Sequence, residues 1–406
     1  MRPLQIDFID DGEIGRRLKA LGCDDRGVPY FLAKRETLTL LLKDVDTRAA
    51  NALKQEMLAR GGDVAVHRNA IDRQVERTDG LLFGTEKAVR LLVEKLKAMP
   101  YWGLEEVRLG LTAFLASRRR GEHPRGLDLP GGRRLSFEGR SLIMGILNVT
   151  ADSFYAGSRI ADLAELLERA ETMVAEGADI LDVGAESTRP GSDGLDAATE
   201  LVRLVPALRA LRERFPDLPL SADTNKASVA EAAVAAGADI VNDISGFGFD
   251  GALAETVAAL AVPVVVMHIQ GRPRTMQEAP RYGDLLPDMV AYFEDRLALA
   301  ARSGIDESRI ILDPGIGFGK TSEHNLEILR HLEALRGFGL PLLVGHSRKS
   351  FLGAVLDEPR PEGRLEGTLA VSALCAWRDV EILRVHDVGA SRKAVDVVAA
   401  IRRGSP

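Results

Sequence analysis

Cysteine is nearly absent: Cys23 and Cys375 are the only two among 406 residues. Two thiols so far apart cannot build a disulfide framework, and they lack the spacing of a metal–thiolate site, so a reduced, cytoplasmic setting is expected. Long apolar runs are missing as well. The longest, Leu260 to Met267, is broken by Pro263 and falls far short of the ~20 residues that cross a bilayer. The N-terminus, MRPLQIDFIDDGEI, turns acidic early and has no apolar core of secretory type. Positive charge is not in excess. A net charge of −7 argues against general affinity for nucleic acid, although it says nothing about a local cationic pocket. Several catalytic signatures are also lacking. No His/Cys cluster has metal-ligand spacing, and no Ser–His–Asp order can be argued. The segment DPGIGFGKTSEHN (313–325) resembles a phosphate loop, but Gly315 and Gly319 enclose three residues where that motif has four. Lys320 is therefore not expected to be a nucleotide lysine.

What the chain does have is a repeated alternation. Eight short apolar runs read LIMGILNVT (142–150), DILDVGAEST (179–188), PLSADT (219–224), IVNDIS (240–245), PVVVMHI (263–269), IILDPGI (310–316), PLLVGHS (341–347) and EILRVHDV (381–388). Their bodies are nearly continuous rather than alternating, as expected of strands buried on both faces, and amphipathic or Ala-rich stretches separate them. In or just after the C-terminal ends lie Asn148, Thr188, Asp223, Asn242, His268, Asp313, Lys349, Arg384 and His386. The pattern predicts an α/β chain with a (β/α)8 TIM barrel whose chemistry gathers at the rim formed by those ends.

The length suits two domains. Composition breaks once, at RRRGEHPRGLDLPGGRR (118–134), which is rich in Gly, Pro and Arg and reads as a linker. Upstream, 1–117 reads as a small α/β domain of unassigned function. Asp46 is the expected N-cap of a helix stopping at Gly61–Gly62, strand-like DVAVHRNAI and LLFGT follow, and a helix closes at Pro100. His67, a lone histidine beside a strand-like run, is expected to be structural. Residues 135–406 form the barrel domain, preceded by a hairpin expected to turn at Glu138–Gly139.

The rim residues divide into two chemical jobs. Asp223, Asn242 and Asp313 sit on strand ends three, four and six, and such acceptors suit a flat heterocycle with several N–H donors. The other group is cationic: Arg189 after strand two, Arg348 and Lys349 after strand seven, Arg384 and His386 in strand eight. The rim near strands seven and eight is a frequent phosphate site in barrels, and arginine forks answer phosphate oxygens well. The glycines of GIGFG would let the backbone and Phe318 approach a flat ligand closely. His268 reads as a satisfied barrel histidine.

At this point the residues resemble a known family. From about 140 to 403, the blocks MGILNVTADSF, GADILDVGAESTRPGS, SADTNKA, GADIVNDISG, MHIQGRPRTMQ, ILDPGIGFGKTSEHN, GHSRKSFLG and RVHDV are similar to dihydropteroate synthase. The resemblance implies condensation of 6-hydroxymethyl-7,8-dihydropterin pyrophosphate with 4-aminobenzoate. It implies that Asp223, Asn242, Asp313, Lys349 and Met267 hold the pterin, and that Asn148, Arg189, Arg384 and His386 bind the pyrophosphate. Mg2+ is implied near Asn148. Asp152, Phe154, Thr188, Arg189 and Pro190 would close over the site, with Phe318, Lys349 and Ser350 seating 4-aminobenzoate. Lys349, Arg384, His386 and Asp223 would carry the catalysis, and a homodimer through the last helices is implied. The chain departs from the family pattern at Ala151, where proline is usual, at Tyr155 and at His346, departures that bear on the arylamine and on sulfonamide susceptibility. Alternatives are a synthase for another arylamine, a methyltetrahydrofolate-binding methyltransferase domain, or a non-catalytic pterin-binding protein. A methyltransferase would have no use for STRPGS, SRKS and RVH together, because it expels no pyrophosphate.

Overall fold

The computed structural model describes residues 21, 37–120, 125–149, 159–186 and 194–404. The chain divides into two compact units, Met1–Arg119 and Arg120–Pro406. No helix among the described residues is long and apolar enough to cross a membrane.

The first unit runs β1 (Thr37–Asp46), α1 (Thr47–Leu58), β2 (Asp63–Val66), β3 (Arg77–Thr85), α2 (Glu86–Leu96) and α3 (Leu104–Arg120). Its antiparallel sheet has the order β1–β3–β2. Asp46 caps α1 as expected, its carboxylate accepting from the Arg48 backbone N–H at 2.8 Å, and the helix ends three residues before Gly61–Gly62. One sheet face is buried: along β3, Thr78, Gly80, Leu82 and Gly84 are covered while Arg77, Asp79, Leu81 and Phe83 are exposed. Leu53 and Met57 of α1 and Leu92 and Leu96 of α2 fill the core on the covered side. His67 is structural, its Nδ1 accepting the Asn69 N–H at a short helical turn.

The second unit is the barrel. Its strands are β6 (Leu142–Asn148), β7 (Ile180–Gly184), β8 (Leu220–Asp223), β9 (Ile240–Asp243), β10 (Val264–Met267), β11 (Ile310–Asp313), β12 (Leu343–Val344) and β13 (Ile382–Val385). All pair in parallel, in the order β11–β10–β9–β8–β7–β6–β13–β12, and a parallel bridge between Leu312 and Leu342 closes the ring. Helices follow the strands: α4 (Arg159–Ala175), α5 (Ala197–Arg214), α6 (Ala227–Ala235), α7 (Leu253–Leu260), α8 (Leu285–Arg302), α9 (Ser322–Arg330), α10 (Glu333–Arg336), α11 (Ser350–Leu356), α12 (Leu365–Trp377) and α13 (Val388–Arg403).

The expected linker, 118–134, is not a continuous linker. Arg118 to Arg120 extend α3. From Gly126 the chain forms a hairpin of β4 (Gly126–Asp128) and β5 (Arg134–Ser136), with Pro130, Gly131 and Gly132 making the turn. The expected turn at Glu138–Gly139 is only a bend, so the hairpin lies one step upstream. Proline and glycine mark a turn as readily as a linker; what distinguishes this stretch is the alternation of Leu127, Leu129 and Leu135 with polar residues. These leucines pack against Leu142, Met144, Ile180, Ile240, Val265, Ile311, Leu343 and Ile382, closing the N-terminal end of the barrel.

Candidate active site

Strand alternation decides which side chains enter the barrel. Ile180, Ile240, Ile311 and Ile382 form the apolar floor with the hairpin, whereas their neighbours Leu181, Val241, Leu312 and Leu383 face the helices. Two residues above each floor isoleucine stand Asp182, Asn242, Asp313 and Arg384, on the same inward face. Above Val265 stands Met267, and Asp223 on β8 completes the layer. The interior therefore changes from apolar to charged within one strand repeat.

In that layer the two predicted groups become one network. Arg384 donates from Nε to Asp182 Oδ2 at 2.6 Å and from Nη2 to Asp223 Oδ2 at 2.7 Å. Asn242 Nδ2 donates to the same Asp182 oxygen at 3.1 Å. Asp182 Oδ1 is buried without a hydrogen-bond partner, and Asp223 Oδ1, Asn242 Oδ1 and Arg384 Nη1 make no hydrogen bond among the described residues. Arg384 is thus more than an anion ligand, because it also neutralises the carboxylates beneath it. Burial pushes Asp223 up to about 7 despite Arg384, with Asp182 adding to the rise. Burial also raises Asp313, to about 6, although its Oδ1 accepts the Gly315 N–H at 2.7 Å. Lys349 is drawn down to about 8 by the same desolvation, against the pull of Asp313.

Phe318 lies beneath Lys349, whose ammonium sits 4.1 Å from the ring centroid. Its loop requires glycine. Gly315 and Gly319 have φ of +66° and +64°, and a Cβ on them would come within 2.0 Å of the His268 carbonyl oxygen and 2.3 Å of the Gln270 carbonyl oxygen. Lys320 and His268 are buried together, with Lys320 Nζ 2.8 Å from His268 Nδ1. Desolvation holds Lys320 down at about 7 and His268 at about 2. Met267 and Phe318 share an apolar cluster with Ile244, Ile269 and Met276.

At the rim, His386 is exposed and its Nδ1 meets Ser347 Oγ at 3.0 Å. Desolvation by the barrel wall, with Arg384 and Arg348 nearby, lowers it to about 4, so the free protein carries it neutral. Arg348 does not face an anion site: its Nε and Nη2 bind the Asp387 carboxylate at 2.9 and 2.5 Å. Asn148 and Ser350 are exposed at the ends of β6 and the start of α11. Asp152, Phe154, Thr188, Arg189 and Pro190, with Ala151 and Tyr155, lie outside the described residues. His346 is not at the rim. It is fully buried behind β12, with Nε2 2.9 Å from Ser372 Oγ and 3.1 Å from the Thr368 carbonyl on α12.

Two further features escaped the reading of the sequence. Asp182 bears the same mark as Arg384, a charge inside an apolar run, but it precedes the strand end. Lys226 bridges Glu186 and Glu200 just above Asp223, the contact with Glu200 being 2.6 Å. Glu186 directly precedes the STRPGS segment, so this pair anchors the root of that loop.

Among the described residues no three acidic, histidine or cysteine side chains gather as a metal cage. A single exposed amide at Asn148 nevertheless fits Mg2+, which takes most of its ligands from phosphate oxygens and water.

Comparison with known proteins adds an independent line. The profile of the family described as pterin binding enzyme matches residues 144–386. The dihydropteroate synthase of Synechocystis sp. is 45% identical over 276 residues, 68% of this chain and 95% of the relative. A probable bifunctional folylpolyglutamate synthase/dihydropteroate synthase of Halobacterium salinarum is 39% identical over 365 residues, 89% of this chain and 42% of that protein. A match that long runs beyond the barrel into the first unit. Among solved structures, dihydropteroate synthase of Xanthomonas albilineans with 4-aminobenzoic acid superposes with a TM-score of 0.63 at 39% identity, covering 70% of this chain and 99% of that one.

Proposed function

We infer the roles of the site residues from one premise: the chain belongs to the dihydropteroate synthases, within the pterin-binding enzymes. It is a transferase of folate biosynthesis that joins 6-hydroxymethyl-7,8-dihydropterin pyrophosphate to 4-aminobenzoate and releases pyrophosphate. The observation that carries the division of roles is the interior network of Arg384, Asp182, Asp223 and Asn242, with hydrogen-bonding atoms left unfilled.

In this reading Asp223 Oδ1 and Asn242 Oδ1 accept from the pterin N–H and amino groups, with Asp313, Lys349 and Met267 completing the pocket. A pterin donating to Asp223 favours its ionised form, whose charge then offsets the positive charge that develops on the exocyclic carbon. The carbon–oxygen bond to pyrophosphate breaks and its electron pair leaves on oxygen. The arylamine nitrogen supplies the new bond and gives up one proton, so the protein needs no nucleophile of its own. Arg384 Nη1, His386 and Asn148 face the leaving group, a role the resemblance also gives to Arg189. His386, neutral when the site is empty, becomes more basic beside the incoming anion and strengthens as a donor. Asn148 would hold Mg2+, whose charge stabilises the departing pyrophosphate. Phe318, Lys349 and Ser350 seat 4-aminobenzoate, while exclusion of water is the role that the resemblance gives to Asp152, Phe154, Thr188, Arg189 and Pro190.

Exposed Trp377 on α12 and Val397 and Ile401 on α13 support a homodimer through the last helices. The direct test of the reaction is pyrophosphate release from the dihydropterin substrate with Mg2+. Release that depends on 4-aminobenzoate and yields dihydropteroate is expected. Pterin binding without product would overturn the assignment of the arylamine.

A further inference from the structure

Lys320 ends the loop that follows β11 and is 2% exposed. Its ammonium has three N–H donors and meets three acceptors: His268 Nδ1 at 2.8 Å, the His268 carbonyl at 3.2 Å and the Phe318 carbonyl at 3.0 Å. All three partners are neutral. Removing a cation from water for neutral partners is costly, and a methionine of similar reach would fill the space without that cost. A position that nonetheless carries lysine calls for a role beyond filling.

The surrounding contacts narrow that role. Each other part of the loop has its own tether. The Gly315 N–H donates to Asp313 and the Gly317 N–H to Asn325, while Gln277 donates to the Gly317 carbonyl and Tyr282 to the Gly319 carbonyl. Among these tethers, the one on the Phe318 carbonyl is the only one supplied by a buried lysine. The other end of the tether is firm: His268 continues the strand ladder, its backbone N–H donating to the Asp313 carbonyl at 2.9 Å. Its ring packs edge-on to Tyr292, with centroids 4.6 Å apart. Lys320 therefore joins the end of β10 to the one loop residue whose ring lies under Lys349.

We propose that Lys320, anchored by His268, is a positioning residue for arylamine recognition: it holds the Phe318 carbonyl and so fixes the ring that faces Lys349 across the arylamine subsite. The proposal rests on the assignment of Phe318 and Lys349 to that subsite, and its test separates the two.

The experiment is steady-state kinetics on the full chain, with both substrates varied, for Lys320→Met, Lys320→Gln, His268→Asn, His268→Leu and Phe318→Ala. Both lysine variants should raise KM for 4-aminobenzoate about tenfold and leave KM for the dihydropterin pyrophosphate within about twofold. His268→Asn presents Oδ1 where Nδ1 stood, so it should stay near wild type, whereas His268→Leu should match the lysine variants. Equal rises in both KM values, or no change in either, would overturn the proposal. So would failure of both lysine variants to fold while Phe318→Ala and His268→Asn fold, because Lys320 would then serve stability alone. An equal loss in His268→Asn and His268→Leu would remove His268 as the anchor. If Phe318→Ala leaves the arylamine KM unchanged, the subsite assignment has failed instead.

Discussion

The two ends of the barrel interior are built from the same strands and obey opposite rules. At the floor, Ile180, Ile240, Ile311 and Ile382 meet the hairpin leucines in an apolar cluster. One repeat higher, Asp182, Asn242, Asp313 and Arg384 occupy the same inward face. The floor gains stability from each group it buries. The upper layer buries three carboxylates, two of them held by one guanidinium, an arrangement that favours a waiting ligand over the empty protein. Stability and chemistry are thus separated by about 7 Å along each strand rather than divided between distant regions.

Changing Arg384 should break the upper layer most severely. Arg384→Met removes the cation shared by Asp182 and Asp223, and turnover should fall by about a thousandfold or more. Folding stability should fall by about 3–5 kcal/mol, since two buried carboxylates lose their partner. A pterin lacking pyrophosphate should also bind more weakly, because Asp223 is disturbed together with the anion site. Isothermal titration decides the point; unaltered pterin affinity would restore Arg384 to a purely anion-binding role.

At the floor the opposite signature is expected. Leu135→Ala should cost about 3 kcal/mol in denaturant unfolding and leave both KM values and kcat near wild type. A comparable loss of turnover would show that the two layers are mechanically linked.

The smallest effect is a slope with pH. Burial raises Asp223 to about 7 and Asp313 to about 6, above an unfolded carboxylate near ~4. Between those values the native state holds protons that the unfolded chain has released. Their contribution to stability is therefore complete below about pH 4 and is lost as pH rises through about 6 to 7. Asp223→Asn should flatten this part of the stability curve measured in ligand-free protein. Curves that stay parallel to wild type would mean that Asp223 is already ionised beside Arg384.

Much of this was legible along the chain because alternation and charge are local properties. The strand-end places of Asp223, Asn242, Asp313 and Arg384 follow from the eight apolar runs alone, whereas Asp182, inside its run, joins them only in the folded barrel. Sequence could also identify Asp46 as a cap, since its partner is two residues away. Partners were less legible. Arg384 and Asp182 are 202 positions apart, and only closure of the ring brings them together. The same holds for Lys320, dismissed as a failed phosphate-loop lysine until His268 is seen across from it. His346, a departure from the family pattern beside the site in sequence, proves to face α12 instead.

By itself the sequence determined the eight-strand alternation, the polar strand ends and the membership of the barrel in its family, because each is written in local pattern along the chain. Only the tertiary structure decided that the Pro/Gly-rich stretch covers the barrel floor, that Arg384 joins the pterin and anion groups, and that Arg348 is spent on Asp387. The reason is physical: composition and periodicity describe how a segment folds on itself, whereas the partner of a buried charge is whichever group the closed barrel delivers to it.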